Sequence, residues 1–270
     1  MAMEMATAKG QGPKHIPMAE TATGKTAPIR ILMYHHVARF PKPRQQRRLY
    51  CHVDQFARQM AYLARSSINV ISMDRALDAI TGRSSLPGPS IVLTFDDGFQ
   101  NFHDFAWPIL RTHDFPATIF PVTRLLGGRA EFLTHPPLCS DRLIDAATLR
   151  QLASEGVDIG GHTATHPSLT KLAHHKRDAE ISDAKKELED ILGKQIRHFA
   201  YPRGHYDADA CVRVAAAGFV SALTTADARA DKAPNAFEIP RIGISARDGA
   251  LRYYMKLHWR YNWYSPQSAL

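Results

Sequence analysis

Two short segments hold most of the residues in this chain that could do chemistry. In Leu93-Thr94-Phe95-Asp96-Asp97-Gly98, two adjacent carboxylates end an apolar run and are followed by glycine. Neighbouring side chains of a strand point to opposite faces. Asp96 and Asp97 can therefore serve one site only where the backbone turns, which Gly98 permits. Read alone, the pair has a plainer use, with one carboxylate capping the next helix and the other in solvent. In Gly160-Gly161-His162-Thr163-Ala164-Thr165-His166-Pro167, two imidazoles four residues apart share a face if the segment makes one helical turn. That spacing suits a divalent transition metal. A chain with 14 histidines also yields chance pairs, and His174-His175, on a charged helix, is read as one. Together the segments supply one carboxylate and two neutral imidazoles, a facial triad with open positions for water and substrate. The other carboxylate is left free as a base.

These residues need a scaffold that brings distant segments together. Short β-rich runs are read at Ile29–His35, Asn69–Ser72, Ser90–Phe95, Ala117–Val122, Val157–Gly160, His198–Tyr201 and Ser221–Thr225. Between them, helical periodicity is read from Val53 (Phe56, Met60, Leu63) and over 74–81, 101–112, 146–154, 172–192 and 208–217. Gly156, Gly193 and Gly218 each sit just past a helical pattern, where a left-handed cap favours glycine. Strands alternating with helices imply parallel pairing through right-handed crossovers. About seven such units predict an α/β fold, a closed or nearly closed barrel with its chemistry beyond the strand C-termini. Asp96, Asp97, His162 and His166 all fall at such ends.

With these segments in view, the chain resembles the polysaccharide deacetylases, carbohydrate esterase family 4 with NodB homology. The likeness rests on TFDDG at 94–98, HTATH at 162–166 and the following Pro167-Ser168-Leu169-Thr170. It runs from Ile31 to about Ile244. The resemblance implies a distorted (β/α) TIM-like barrel, a zinc-like divalent ion (cobalt, nickel or iron being alternatives) and hydrolysis of N-acetyl groups on an amino sugar or glycan. It also implies that Asp96 is the base and that Asp97, His162 and His166 hold the metal.

Elsewhere the sequence departs from the family pattern. The motif usually written RxPYG reads here Ala200-Tyr201-Pro202-Arg203-Gly204. The family uses a backbone N–H at the position of Arg203 to bind the oxyanion, so Tyr201 and Arg203 are expected near substrate; Arg203 as an ordinary loop residue is the alternative. With alanine in place of the family's arginine, another cation must hold the base. Arg241, between apolar neighbours in Pro240-Arg241-Ile242, is expected to do so, because a charge in apolar surroundings needs a carboxylate partner. The Leu-x-His setting of the family's acid histidine is absent near Leu257-His258. Met33-Tyr34-His35-His36-Val37 instead resembles the permuted poly-N-acetylglucosamine deacetylase branch, whose acid histidine comes first. That role passes to His35, while His36 is read as structural.

The formal charge of +8 favours acidic partners, yet nothing in the sequence has a nucleic-acid-binding signature. Cys51, Cys139 and Cys211 are sparse and odd in number, which argues against a disulfide framework and fits a reducing compartment. Residues 1–27 lack an apolar signal core and read as a disordered tail ahead of one barrel domain over 28–270. A cytoplasmic location is expected. The stretch Leu251–Tyr264 alternates aromatic and basic residues, either as a surface for membrane or glycan or as a terminal helix packed on the barrel. Two rival functions share the fold: hydrolysis of another amide, such as a formamide or cyclic imide, and glycan binding without catalysis.

Overall fold

Eight consecutive buried residues, Ser90–Asp97, form the strand around which the other elements are laid. Such a run needs cover on both faces, as strands in parallel sheets have. The computed structural model describes residues 27–41, 47–134 and 136–259. The tail expected before Ala27, the middle of the basic segment 39–48 and the stretch beyond Trp259 lie outside them.

In chain order the strands are β1 (Ile29–Tyr34), β2 (His36–Ala38), β3 (Tyr50–His52), β4 (Asn69–Val70), β5 (Ser90–Asp97), β6 (Thr118–Pro121), β7 (Asp158–Ile159), β8 (His198–Ala200), β9 (Ser221–Leu223) and β10 (Ile242–Gly243). The helices are α1 (Val53–Arg65), α2 (Met73–Ile80), α3 (Trp107–Arg111), α4 (Ala146–Ser154), α5 (His174–Leu192), α6 (Ala208–Ala216) and α7 (Ala250–His258). Every ladder between these strands is parallel. The main sheet runs β10-β1-β5-β6-β7, with β4 also on β5. Single parallel bridges, Gly161 to Phe199 and Leu223 to Ile239, link β7 to β8 and β9 to the approach to β10. With these bridges, seven strands follow one another round a ring that is weakly joined on one side. This is a distorted (β/α) barrel.

Side-chain alternation divides the apolar residues of the strands between two clusters. Ile29 and Ile31 of β1, Val92 of β5, Phe120 of β6, Ala200 of β8 and Leu223 of β9 share a cluster with Ile239. Because these residues come from strands all round the ring, their face is its interior. Leu93 and Phe95, Ile119 and Phe199 belong to the other cluster, with α1, α4, α5 and α6. Asp96 has the parity of Val92 and Thr94 and so faces inward. Asp97 has the opposite parity.

Several expected boundaries move for local reasons. The first strand stops at Tyr34, and His36–Ala38 pairs instead with Tyr50–His52 in a separate two-stranded sheet. Ser72 is not strand: its hydroxyl accepts from Arg75 N and caps α2. The helix read over 101–112 has a π-helical stretch at Phe102–Ala106 before α3. α5 begins at His174 and ends on Gly193, whose φ is +64°. The terminal segment is a helix through His258, and Tyr253 and Leu257 are buried against the barrel. Among the described residues, no helix is long and apolar enough to cross a membrane. The three cysteines are free.

Candidate metal centre and active site

The turn after β5 brings Asp97 to the same side as Asp96. Asp97 takes φ +72° and Gly98 φ +77°, a left-handed pair that side chains other than glycine's seldom adopt. At Gly98 a Cβ would lie 2.8 Å from the Pro121 Cβ, so both conformation and space require glycine. A helical turn would put the two imidazoles on one face, but the histidine segment makes none. Residues 162–166 form a loop in which Thr163 and His166 take φ +63° and +65°. Two hydrogen-bond sets hold that loop. The Thr163 hydroxyl accepts from His166 N at 3.0 Å. Glu180, on α5, accepts from Ala164 N and Thr165 N, both at 2.9 Å, and from the Thr165 hydroxyl at 2.6 Å. Nothing in the sequence distinguishes Glu180 from the other acidic residues of its helix.

Asp97, His162 and His166 are buried, and their ligand atoms lie within 4.8 Å of one another. Asp97 Oδ1 stands 3.4 Å from Nε2 of both histidines, yet it has no hydrogen-bond partner. The His162 Nδ1–H donates to the Ala200 carbonyl at 2.7 Å, which leaves the Nε2 lone pair facing the carboxylate. Two electron-rich atoms so placed need a cation or a proton between them. Burial would depress the His162 pKa, but the Asp97 and Asp96 carboxylates outweigh it and raise it. Burial pushes His166 down to about 3, so it is neutral and open to ligation. Burial would raise the Asp97 pKa, but the imidazoles hold it well below the usual carboxylate range. The residues present therefore fit a divalent ion, which takes the place of a proton at such sites.

Asp96 is bound end-on by Arg241. The guanidinium donates from Nη1 and Nη2 to Oδ1 and Oδ2 at 2.6 and 2.7 Å, and from Nε to the Thr224 carbonyl at 3.0 Å. Arg241 has no exposed surface and Asp96 is 3% exposed. Burial works to raise the Asp96 pKa, and the Arg241 charge wins, so it lies below the ordinary value. Both carboxylates and both histidines line a cavity of about 480 Å³, as do His35 and Arg203. His35 Nδ1 is buried without a partner.

Tyr201 is elsewhere. It is fully buried in the outer core, and its hydroxyl donates to the Phe237 carbonyl at 3.1 Å. The expectation of substrate contact by its side chain is corrected: Phe199-Ala200-Tyr201 ends a buried strand, and the tyrosine follows the outward parity of Phe199. Arg203 takes φ +60° and donates from Nη2 to the Phe132 carbonyl at 3.2 Å. Phe132 lies against His166 with ring centroids 4.1 Å apart and lines the cavity with Leu133 and Thr134. This loop follows no helical or strand period, so the sequence offered no sign of it.

His36 is a packing residue. Its ring stacks between Tyr50 at 4.7 Å and Phe99 at 3.5 Å. Its Nδ1 accepts from the Asn101 amide at 2.9 Å. Burial pushes its pKa down to about 3. The folded state thus holds it neutral while the unfolded chain takes up a proton below about pH 6.5. The stability this contributes is complete above about pH 6.5 and is lost as pH falls towards about 3, by up to about 1.4 kcal/mol per pH unit. Urea titrations at stepped pH should show a shallower slope for His36→Phe than for the parent. Identical slopes would overturn this account.

A buried Asp-His-His cluster that could hold a metal ion stands at the strand ends of a distorted (β/α) barrel. The polysaccharide deacetylase family model matches residues 83–222, just over half of the chain. The chain belongs to this family. It is similar to YxkH of Bacillus subtilis (strain 168), at 23% identity over 83% of this chain and 74% of that protein. It is 34% identical to the poly-beta-1,6-N-acetyl-D-glucosamine N-deacetylase of Escherichia coli K12 over 39% of this chain, spanning only 16% of that protein. The fold of Streptococcus pyogenes deacetylase PplD, solved with acetate, superposes at TM-score 0.75 with 23% identity, covering 86% of this chain and 99% of that one. Asp96, Asp97, His162, His166 and Arg203 lie inside the family match, and His35 and Arg241 outside it.

Proposed function

We propose that this protein removes the acetyl group from an N-acetylated amino sugar, free or within a glycan, by metal-assisted hydrolysis. The observation that carries the reading is the buried Asp97, His162 and His166 cluster beside Asp96, a carboxylate that is paired with Arg241 and left out of the cluster. Two imidazoles and one carboxylate suit zinc, with cobalt, nickel and ferrous iron as alternatives. When bound, the ion supplies Lewis-acid polarisation of the amide carbonyl and lowers the pKa of water.

The chain's own groups do the rest. Asp96, kept ionised by Arg241, takes the proton of the attacking water. The backbone N–H of Arg203 is assigned to the developing oxyanion. His35 donates to the departing amine, which would otherwise leave as a poor anion. Each proton transfer contributes about a hundredfold to ten-thousandfold.

Acetate release from a panel of N-acetylated amino sugars, run with metal analysis, tests the proposal. Chelation is expected to cut the rate by at least about a hundredfold, with recovery on adding back a divalent metal. His162→Ala should lose metal and rate together. Full activity after complete metal removal would overturn the metal assignment. A metal-loaded protein that releases no acetate from any member of the panel would overturn deacetylation.

A further inference from the structure

Beside the catalytic cavity lies a second one, of about 220 Å³, with a different character. Its walls carry four cations, Arg48, Arg247, Arg252 and Lys256, against two carboxylates, Asp227 and Asp248. Counted formally, four positive charges against two negative leave +2. One carboxylate is already committed to a cation of the same wall. Asp248 is 2% exposed and is already engaged, accepting from Ser245 N, the Ser245 hydroxyl and Lys256 Nζ at 2.7, 2.8 and 2.9 Å. Asp227 accepts from Gly243 N at 3.2 Å, and burial raises its pKa against the pull of Lys256 and Arg48. Arg48, Arg247 and Arg252 form no ion pair among the described residues. All three are exposed, so they stand in water round a floor built from Asp248 and Lys256.

Position ties this cavity to the chemistry. Gly243 pairs with Met33 in register, and Ile244 N donates to the Met33 carbonyl at 2.8 Å. The second cavity therefore opens beyond the same strand ends as His35, two residues after Met33. Arg48 lines both cavities. The two cavities thus share one wall residue, which sets the second beside the catalytic one. Exposed arginines without carboxylate partners offer planar forks that match phosphate oxygens.

We propose that this second cavity binds a phosphate group carried by the substrate, so that the acetylated sugar is presented as a phosphate ester. The substrate part of this inference rests on the deacetylase reading; the anion site does not.

Two experiments separate them. The first compares kcat/KM for acetate release from N-acetylglucosamine, N-acetylglucosamine 1-phosphate and a glucuronate-bearing N-acetylated disaccharide. The phosphate ester is expected to be preferred by about tenfold or more. Arg247→Ala and Arg252→Ala should each remove most of that preference and leave the neutral sugar within about twofold. Equal rates on the three substrates, a preference for the uronate, or variants that keep the phosphate preference would overturn the proposal. The second experiment is calorimetric titration of the holoprotein with inorganic pyrophosphate, which needs no turnover. Affinity is expected to fall about tenfold or more in Arg247→Ala/Arg252→Ala. Unchanged affinity places the anion at the catalytic centre and overturns the pocket. If no substrate yields acetate while pyrophosphate binding is lost in the variant, the deacetylase reading fails and the anion site stands.

Discussion

Asp96→Asn is expected to keep its metal and to lose turnover by about a hundredfold to ten-thousandfold. The substitution preserves shape but removes the basic oxygen and turns one end into a donor. That donor would face the Arg241 guanidinium, which now finds acceptors on both Asp96 oxygens at 2.6 and 2.7 Å. Some stability is therefore lost as well, since a hydrogen bond from a charged group is worth about 1.5–3 kcal/mol. Asp97, His162 and His166 are untouched, so metal content by elemental analysis should equal that of the parent. An Asp96→Asn protein that is fully loaded and turns over at the parental rate would remove Asp96 from the mechanism.

Arg241→Met is expected to damage folding and catalysis together. Removing one partner of a buried ion pair costs about 3–5 kcal/mol, because the remaining charge stays in a poorly solvated place. The Arg241 charge now holds the Asp96 pKa below its ordinary value, against burial. In that state the pair's contribution to stability is present above the ordinary carboxylate pKa and is lost as pH falls through the lower folded value. Without Arg241, only the imidazoles of His162 and His35 still oppose burial, so the Asp96 pKa rises from its present position. The acid limb of the pH–rate profile should move to higher pH, and the rate at neutral pH should fall. Asp96→Asn/Arg241→Met should recover part of the lost stability, since no buried charge remains, while staying inactive. Chemical denaturation of the four proteins forms a double-mutant cycle that isolates the coupling. If the single Arg241→Met variant unfolds at parental denaturant concentration with an unshifted pH profile, the ion pair has no such role.

The site was partly legible because its residues are chemically unusual where they stand. Two carboxylates at the end of an apolar strand and an arginine between proline and isoleucine each conflict with their apolar neighbours. The backbone that resolves the conflict was not legible. The histidine spacing suggested a helical turn, whereas left-handed Thr163 and His166, fastened by Glu180, bring the rings together in a loop. The loop bearing Phe132 is aperiodic. β10, with two residues, is too short to show a pattern, although it carries the chain from Arg241 back to β1. Seven strands were expected and seven form the ring, but they are not the same seven. β4 pairs with β5 only at Ser90 and Ile91 and is outside the ring, while β10 completes it. Tyr201 misled because a motif position suggested contact with substrate where strand parity assigned it to the core.

Among the described residues other than glycine, five have positive φ; three of them, Asp97, His166 and Arg203, line the candidate cavity, and a fourth, Thr163, is hydrogen-bonded to His166. Each such residue is held at a cost of about 1–3 kcal/mol by packing elsewhere. On the proposed function, competence and durability therefore pull against each other. A descendant freed from selection for turnover could relax these positions to glycine or asparagine and become a sturdier but inert barrel. The apolar layers of the wall thus serve as ballast for a handful of uncomfortable backbone angles at its rim.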